Sequence, residues 1–306
     1  MSRAVWAPGK AMLIGEYAVL EGEPAVVAAV SVYAKAVLSD GVPSSPFIEA
    51  AIREARLEIA ELGRALDGPS VPQVDTSSFV QGGRKLGVGS SAAATVAAVG
   101  ALFDAAGFDL SDEQIRGRAY AAAKRAHDAA QGSAGSGADL WAAVHGKLRV
   151  LGPYDTSVEA KPLPVRLRFV ATSTSVSTGK LLARYREVHK AAQPAIAKLG
   201  IAARGFLMAW QRGDVAALLA SVEGANSGYA HLGEVLDAKL LTDEHLRIAE
   251  VARKVGGAAK PSGAGGGDLA VVFLPSVEAQ NRFEAEIEVL SIGESPIGLH
   301  VVSDRR

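Results

Sequence analysis

The stretch 84-RKLGVGSSAAATV-96 governs how the rest of the chain is read. Gly87 and Gly89 lack a Cβ, so the backbone between them can take conformations closed to other residues and bring its N–H groups close to a ligand. Ser90 and Ser91 follow, one suited to be a helix N-cap and both able to offer a hydroxyl to phosphate or to a metal. Ala92 to Ala94 begin a strong helix former, and the positive end of that helix would face the same point. A helix start of this kind is a ready phosphate site. Taken alone, the segment fits equally well a glycine-rich turn that caps a buried helix.

Two familiar phosphate loops are poor matches. Gly87-x-Gly89-x-x-Ala92 has the spacing of a relaxed dinucleotide fingerprint, which should follow a buried strand. The residues in front are Gln81-Gly82-Gly83-Arg84-Lys85, which no central strand would tolerate. The GxxxxGK[ST] pattern is absent, since Gly179-Lys180 is followed by Leu181. The loop is of a third type.

The rest of the composition narrows the ligand. In a chain of 306 residues, 33 acidic side chains balance 32 basic ones, so there is no broad basic field for nucleic acid or an anionic membrane. An anion must be held by a local constellation, which favours a small phosphorylated molecule. With no cysteine, disulfides, thiolate nucleophiles and cysteine-bound metals are excluded, and the composition fits a cytoplasmic protein. Pro8, Gly9, Lys10, Gly15 and Glu16 interrupt any secretory signal, and the longest apolar stretch, Ala25 to Leu38, is broken by Lys35 and too short to span a bilayer. The six histidines lack metal-ligand spacing. Balanced charge permits a monomer or a homodimer.

The length favours two domains, divided in the proline-containing stretch Gly152 to Pro164, giving units of 1–160 and 161–306. The first unit reads as strands at Ala4–Ala7, Met12–Ile14 and Ala25–Leu38, a helix over Pro46–Leu66, a strand candidate at Val71–Val80 and a buried helix over Ser90–Ala106. Ser111 and Gln114 have capping-box spacing for a further helix running to about Ala130. The loop QGSAGSG at 131–137 delivers Asp139, and Trp141–Leu151 reads as a helical turn and a strand. The second unit reads as a strand at 166–171, helices near 178–198, 199–211, 214–223 and 243–255, and a glycine loop at 263–267. A strand at Leu269–Leu274, a helix at 276–289 and a last strand near 297–303 follow. Interleaved helices and strands predict an α+β or α/β layered architecture.

Three segments together resemble the GHMP kinases, the family of galactose-, homoserine-, mevalonate- and phosphomevalonate-phosphorylating enzymes. APGKAMLIGEYAVLEGEPAVV at 7–27 is similar to the first family motif, KLGVGSSAAA at 85–94 to the ATP-phosphate loop, and KPSGAGGGDLAVVF at 260–273 to the third motif. Tyr17 in GEYAVLEG, Lys85 before the loop, Asp268 after the GGG run, and the segments 126–146 and 177–182 resemble the branch that acts on phosphomevalonate. The resemblance implies an α+β molecule with an N-terminal domain of the ribosomal-protein-S5 type and a ferredoxin-like C-terminal domain, ATP and acceptor meeting in the cleft between them. It implies transfer from ATP, with Mg²⁺, to phosphomevalonate in the mevalonate route to isoprenoids. The hydroxyl of mevalonate is the alternative acceptor, and another small molecule of the family a further one.

The same resemblance implies roles. Lys10 and Asp139 become the catalytic cation and carboxylate, within ion-pair reach of one another, although Asp139 by itself reads as an N-cap. Lys85, Gly87, Val88, Gly89, Ser90, Ser91 and Ala92, with Gly263, Ala264 and Gly265, become nucleotide contacts. Ser90 and Ser91 also become metal contacts. Glu16, Tyr17, Ser136, Gly137, Ser177 and Thr178 become acceptor contacts, with Arg84, Lys180 and Arg184 as candidate charge-offsetting helpers. The metal-sharing glutamate of related enzymes has no clear counterpart; His127, Asp128 and Ser133 stand in its place.

Overall fold

The computed structural model describes residues 3–68, 70–132, 135–152, 156–174 and 176–303. Strand β1 (Arg3–Ile14) and strand β2 (Ala25–Ser39) form a long antiparallel pair. The expected break at Pro8-Gly9 is a register shift inside one continuous strand, a bulge of the kind that re-aims the residues after it. Lys10 is the first of these, and its N–H donates to the Val88 carbonyl at 2.8 Å.

Helix α1 (Pro46–Glu61) starts at an N-cap, Ser45, that accepts from the Ile48 N–H. Strand β3 (Val71–Asp75) returns to β2. The expected strand does not continue to Val80: a 3₁₀ turn at Ser77–Phe79 intervenes before the small hairpin β4 (Val80–Gln81) and β5 (Arg84–Lys85). Three helices follow, α2 (Ser90–Ala105), α3 (Glu113–Gln131) and α4 (Ala138–His145), then the strands β6 (Leu148–Gly152) and β7 (Thr156–Glu159). The cap of α3 is Asp112, which accepts from the N–H groups of Gln114 and Ile115. The expected cap, Ser111, instead bonds to Asp109.

The remainder comprises β8 (Arg166–Ala171), α5 (Thr178–Glu187), α6 (His189–Arg212), α7 (Val215–Leu236), α8 (Asp243–Lys254), β9 (Ala258–Pro261), β10 (Leu269–Leu274), α9 (Val277–Glu284) and β11 (His300–Ser303). The helix break expected near residue 198 falls instead at Val188.

The larger sheet has the order β11-β1-β2-β6-β7, with β3 on the far half of β2, and the smaller has the order β8-β10-β9. The chain is thus an α+β protein, its sixth strand in the large sheet supplied by the C-terminal end. The burial of β2 explains its sequence. Ala25 to Val30 are buried on both faces, and from Ser31 onward burial alternates as one face opens. Helices α2 and α4 contact this strand pair, and α2 is so enclosed that Thr95 through Phe103 are all buried. A second cluster, with Ile248, Val272 and Phe283, covers the other face of the small sheet. Among the described residues no helix is long and apolar enough to cross a membrane.

Candidate active site

Gly89, at φ +79°, is the N-cap of α2, in place of the expected serine, and having no side chain it leaves the first-turn N–H groups uncapped. An N-terminus without a capping side chain keeps its donors and its partial positive charge available to a ligand. Gly87, at φ +68°, lies so close to the third-motif segment that a Cβ there would stand 2.4 Å from the Asp268 Cβ. The first glycine loop therefore touches the third motif at Asp268, just after the glycine run 263–267.

Gly89 also separates two adjoining clefts. A Cβ at this position would lie 3.3 Å from Lys10 Cγ and 3.8 Å from Asp139 Cβ. One cleft is lined by Lys85, Gly87, Val88, Gly89, Ser90 and Ser177, with Phe79, Val176 and Asp268. The other is lined by Lys10, Glu16, Tyr17, Ser136, Gly137, Asp139, Thr178, Gly263 and Ala264 among others. Ser91, Ala92 and Gly265 line neither cleft. Ser91 Oγ lies 3.3 Å from His127 Nε2, Ala92 is buried, and Gly265 packs against the Leu240 carbonyl.

Lys10 and Asp139 face the same cleft, but among the described residues no ion pair joins them, contrary to the expected contact. Asp139 is not the cap of α4. Gly137 occupies that position, and Asp139 Oδ1 accepts from the Leu140 N–H at 3.0 Å. Its carboxylate is half-buried and projects from the first helical turn.

Glu16 and Tyr17, expected as acceptor contacts, carry structural bonds. Glu16 Oε1 accepts from Lys260 Nζ at 2.5 Å and from the Gly263 N–H at 3.3 Å, while Oε2 is buried without a partner. The Tyr17 hydroxyl donates to the Ala264 carbonyl at 2.8 Å, and burial, reinforced by Glu16, pushes its pKa well up. Tyr229 donates to the Gly263 carbonyl at 2.5 Å, and Ser262 Oγ bridges the Met12 N–H and carbonyl. The loop 263–267 is thereby strapped to the end of the strand that carries Lys10. Burial drives the Lys260 pKa down, opposed by its bonds to Glu16.

Ser177 caps α5, with its hydroxyl 3.5 Å from the Lys180 N–H. Among the helper cations, Arg184 is paired with Glu187 at 2.9 Å, and Arg84 and Lys180 line neither cleft. Asp128 lines the cleft that holds Lys10 and Asp139, and is held by Lys124 at 2.6 Å and by the Gly135 N–H at 3.2 Å. Ser133 lies outside the described residues. Among the described residues no group of three or more acidic or histidine side chains could hold a metal. The donor set suits an ion that arrives on a nucleotide and needs few protein oxygens; of the two expected hydroxyls, Ser90 lines the nucleotide-loop cleft and Ser91 Oγ lies against His127. Residue-type reasoning missed Lys260, Tyr229, Phe79 and Val176. Of these only Lys260 sat in a quoted motif.

Comparison with known proteins agrees with this geometry. Residues 52–147 match the family described as GHMP kinases N terminal domain. A phosphomevalonate kinase of Streptomyces sp. (strain CL190) is 28% identical over 337 aligned positions, covering 88% of each protein. The Lin0012 protein of Listeria innocua superposes with a TM-score of 0.86 at 24% identity, covering 99% of this chain and 100% of that one. Streptococcus pneumoniae phosphomevalonate kinase, solved with phosphomevalonate and AMPPNP, superposes with a TM-score of 0.80 at 19% identity, covering 95% and 99%. The phosphate loop, the lysine and the strapped third motif are thus arranged around two adjoining clefts in a chain whose residues 52–147 match the GHMP kinases N terminal domain and whose fold is similar to that of phosphomevalonate kinase.

Proposed function

We infer that the protein transfers the γ-phosphoryl group of ATP to the phosphate of phosphomevalonate, giving diphosphomevalonate and ADP. The observation that carries this reading is the position of Gly89, a side-chain-free partition with an uncapped helix N-terminus on one side and Lys10 and Asp139 on the other. The relationship to the Streptomyces enzyme favours this acceptor within the family.

Phosphoryl transfer depends mainly on positioning and on neutralising charge that spreads over the moving group. In this reading the backbone of 87–91 and the start of α2 hold the β- and γ-phosphates, and Lys10 lies over the group in flight. Ser90, with Ser91 once its hydroxyl turns from His127, would hold a magnesium ion carried in on the nucleotide, which would supply further neutralisation of phosphate charge. An oxygen of the acceptor phosphate attacks the γ-phosphorus, the bond from that phosphorus to the bridging oxygen breaks, and ADP leaves with the electron pair. A phosphomonoester has its second pKa near ~6 and is already largely dianionic at neutral pH. Asp139 is then needed to orient Lys10 and the acceptor rather than to remove a proton.

A hydroxyl acceptor such as mevalonate is the second reading, and one observation favours it. Among the described residues the acceptor-side cleft is lined by the carboxylates of Glu16, Asp128 and Asp139 and by one lysine or arginine, Lys10. The division at residue 160, a cytoplasmic location and a monomeric or homodimeric state go with this proposal. ADP release measured with phosphomevalonate and mevalonate side by side tests it. Release with mevalonate alone transfers the assignment to the hydroxyl acceptor, and release with neither removes both.

A further inference from the structure

The cleft that holds Lys10 and Asp139 is walled in part by two elements far apart in sequence. The 3₁₀ turn Ala18–Glu21 of the first motif contributes Val19 and Leu20, and α5 contributes Thr178 and Leu182. Thr178 and Leu182 are one helical turn apart and share a face of α5. Ser177, the cap of the same helix, lines the nucleotide-loop cleft. The first turn of α5 thus stands where donor and acceptor meet.

A helix this short does not place itself. It has 10 residues, and isolated helices below about 12–15 residues are marginal in water, so tertiary contacts must hold it. From Thr178 to Glu187 every residue is exposed except Leu181, Leu182 and Tyr185. Leu182 lines the cleft, which leaves Leu181 and Tyr185 as the buried anchors. Of these two, only Tyr185 can add a directional bond.

That bond reaches the turn. The Tyr185 hydroxyl donates to Glu21 Oε1 at 2.6 Å, a length proper to a charge-assisted bond onto a carboxylate. His189 Nε2, at the start of α6, lies 3.0 Å from the same oxygen. The Tyr185 ring meets that of Tyr17 edge-on, with centroids 5.6 Å apart, and the Tyr17 hydroxyl is itself bonded to the Ala264 carbonyl. Tyr185 is thus joined to the turn directly and to the third motif through Tyr17. The turn has a further anchor, because Glu23, just beyond it, pairs with Arg204 on α6. Cutting the bond between Tyr185 and Glu21 therefore loosens α5 and leaves the turn in place.

We propose that Glu21 and Tyr185 are positioning residues for the acceptor, a clasp that holds Thr178 and Leu182 at their side of the cleft; this rests on the reading of that cleft as the acceptor site. Neither residue lines the cleft, so each acts through the helix. The test measures ADP release by the full chain with phosphomevalonate and with mevalonate, varying ATP and acceptor separately. With the acceptor that the wild type turns over, Tyr185→Phe, which removes only the hydroxyl, should raise the acceptor KM about tenfold or more and the ATP KM less than about threefold. A mere loss of folded protein would instead lower kcat and leave both KM values unchanged. Glu21→Leu should act like Tyr185→Phe, and Glu21→Gln, which keeps an accepting oxygen, should restore much of the acceptor KM. Glu21→Leu combined with Tyr185→Phe should be little worse than either alone, since both remove one bond. An acceptor KM that Tyr185→Phe and Glu21→Leu leave unchanged, or an ATP KM that rises as much, overturns the clasp alone. Wild-type turnover of neither acceptor overturns the reading of the cleft, and the clasp with it.

Discussion

Lys260 Nζ lies 2.5 Å from Glu16 Oε1, and both side chains are sealed from solvent although 244 positions separate them. The pair joins the first motif to the third, and the same carboxylate oxygen accepts from the Gly263 N–H. Breaking a buried pair from one side strands a charge and costs about 3–5 kcal/mol, whereas replacing both partners by apolar groups of similar volume is often nearly neutral. Lys260→Met is therefore expected to lower stability strongly, and Glu16→Leu combined with Lys260→Met to recover much of the loss. Urea unfolding of the two single variants and the double variant checks this. Equal losses in all three would mean that the two charges do not act as a pair.

Lys10 and Asp139 are expected to differ in severity. Lys10→Met removes the one lysine ammonium that lines the acceptor-side cleft among the described residues and should lower kcat about 100- to 1,000-fold. Asp139→Asn should cost less, because a dianionic acceptor needs no general base. Steady-state rates with the aspartate variant as the slower of the two would point to a hydroxyl nucleophile, for which a base matters.

The parts of the molecule legible in the sequence are those whose local chemistry and tertiary role agree. Helix α2 reads directly from its alanine run, and β2 from its change from continuous to alternating apolar residues. Helix α7 does not. Gly224, Asn226, Ser227, Gly228 and Gly233 signal an end near residue 223, yet the helix runs to Leu236. Gly228 is required by packing, since a Cβ there would lie 2.6 Å from Leu199 Cδ2 on α6. Tyr229, in that unforeseen half, holds the third-motif loop. The motifs named Lys10, Asp139, the phosphate loop, Glu16 and Tyr17, all of which line the two clefts, but residue type does not reveal that the Glu16 and Tyr17 side chains also hold the third motif. Only the folded chain brings Lys260 and Ala264 to them.

The contact between Gly87 and Asp268 leads to a nucleotide-specific prediction. In Gly87→Ala the new methyl group would meet the Asp268 Cβ, and the residue would be held at φ +68°, a conformation costing a side-chain residue about 1–2 kcal/mol. The expected result is a KM for ATP raised about tenfold or more, with a smaller change in the acceptor KM. Adding Asp268→Gly removes the clash but not the backbone strain, so recovery should be partial. An acceptor KM that rises more than that for ATP would place the loop on the wrong substrate.

The last prediction concerns acid. Burial, with Arg149 and Arg116 nearby, lowers the His145 pKa from 6.5 to about 4, and burial likewise lowers that of His245 to about 4. In the unfolded chain both regain ordinary values, so between pH 6.5 and pH 4 the unfolded state binds protons that the folded state refuses. Stability is therefore full above pH 6.5 and falls as pH drops through that window. Carboxylates held low by their partners, such as Glu21 beside Tyr185 and His189, add to the loss only below about pH 4.5. Thermal melts from pH 7.5 to pH 4.5 should show Tm falling, with a shallower slope in His145→Gln whatever that variant's stability at neutral pH. An identical slope would mean that His145 is protonated in the folded protein, its burial offset by the exposed Glu113 carboxylate 3.1 Å away.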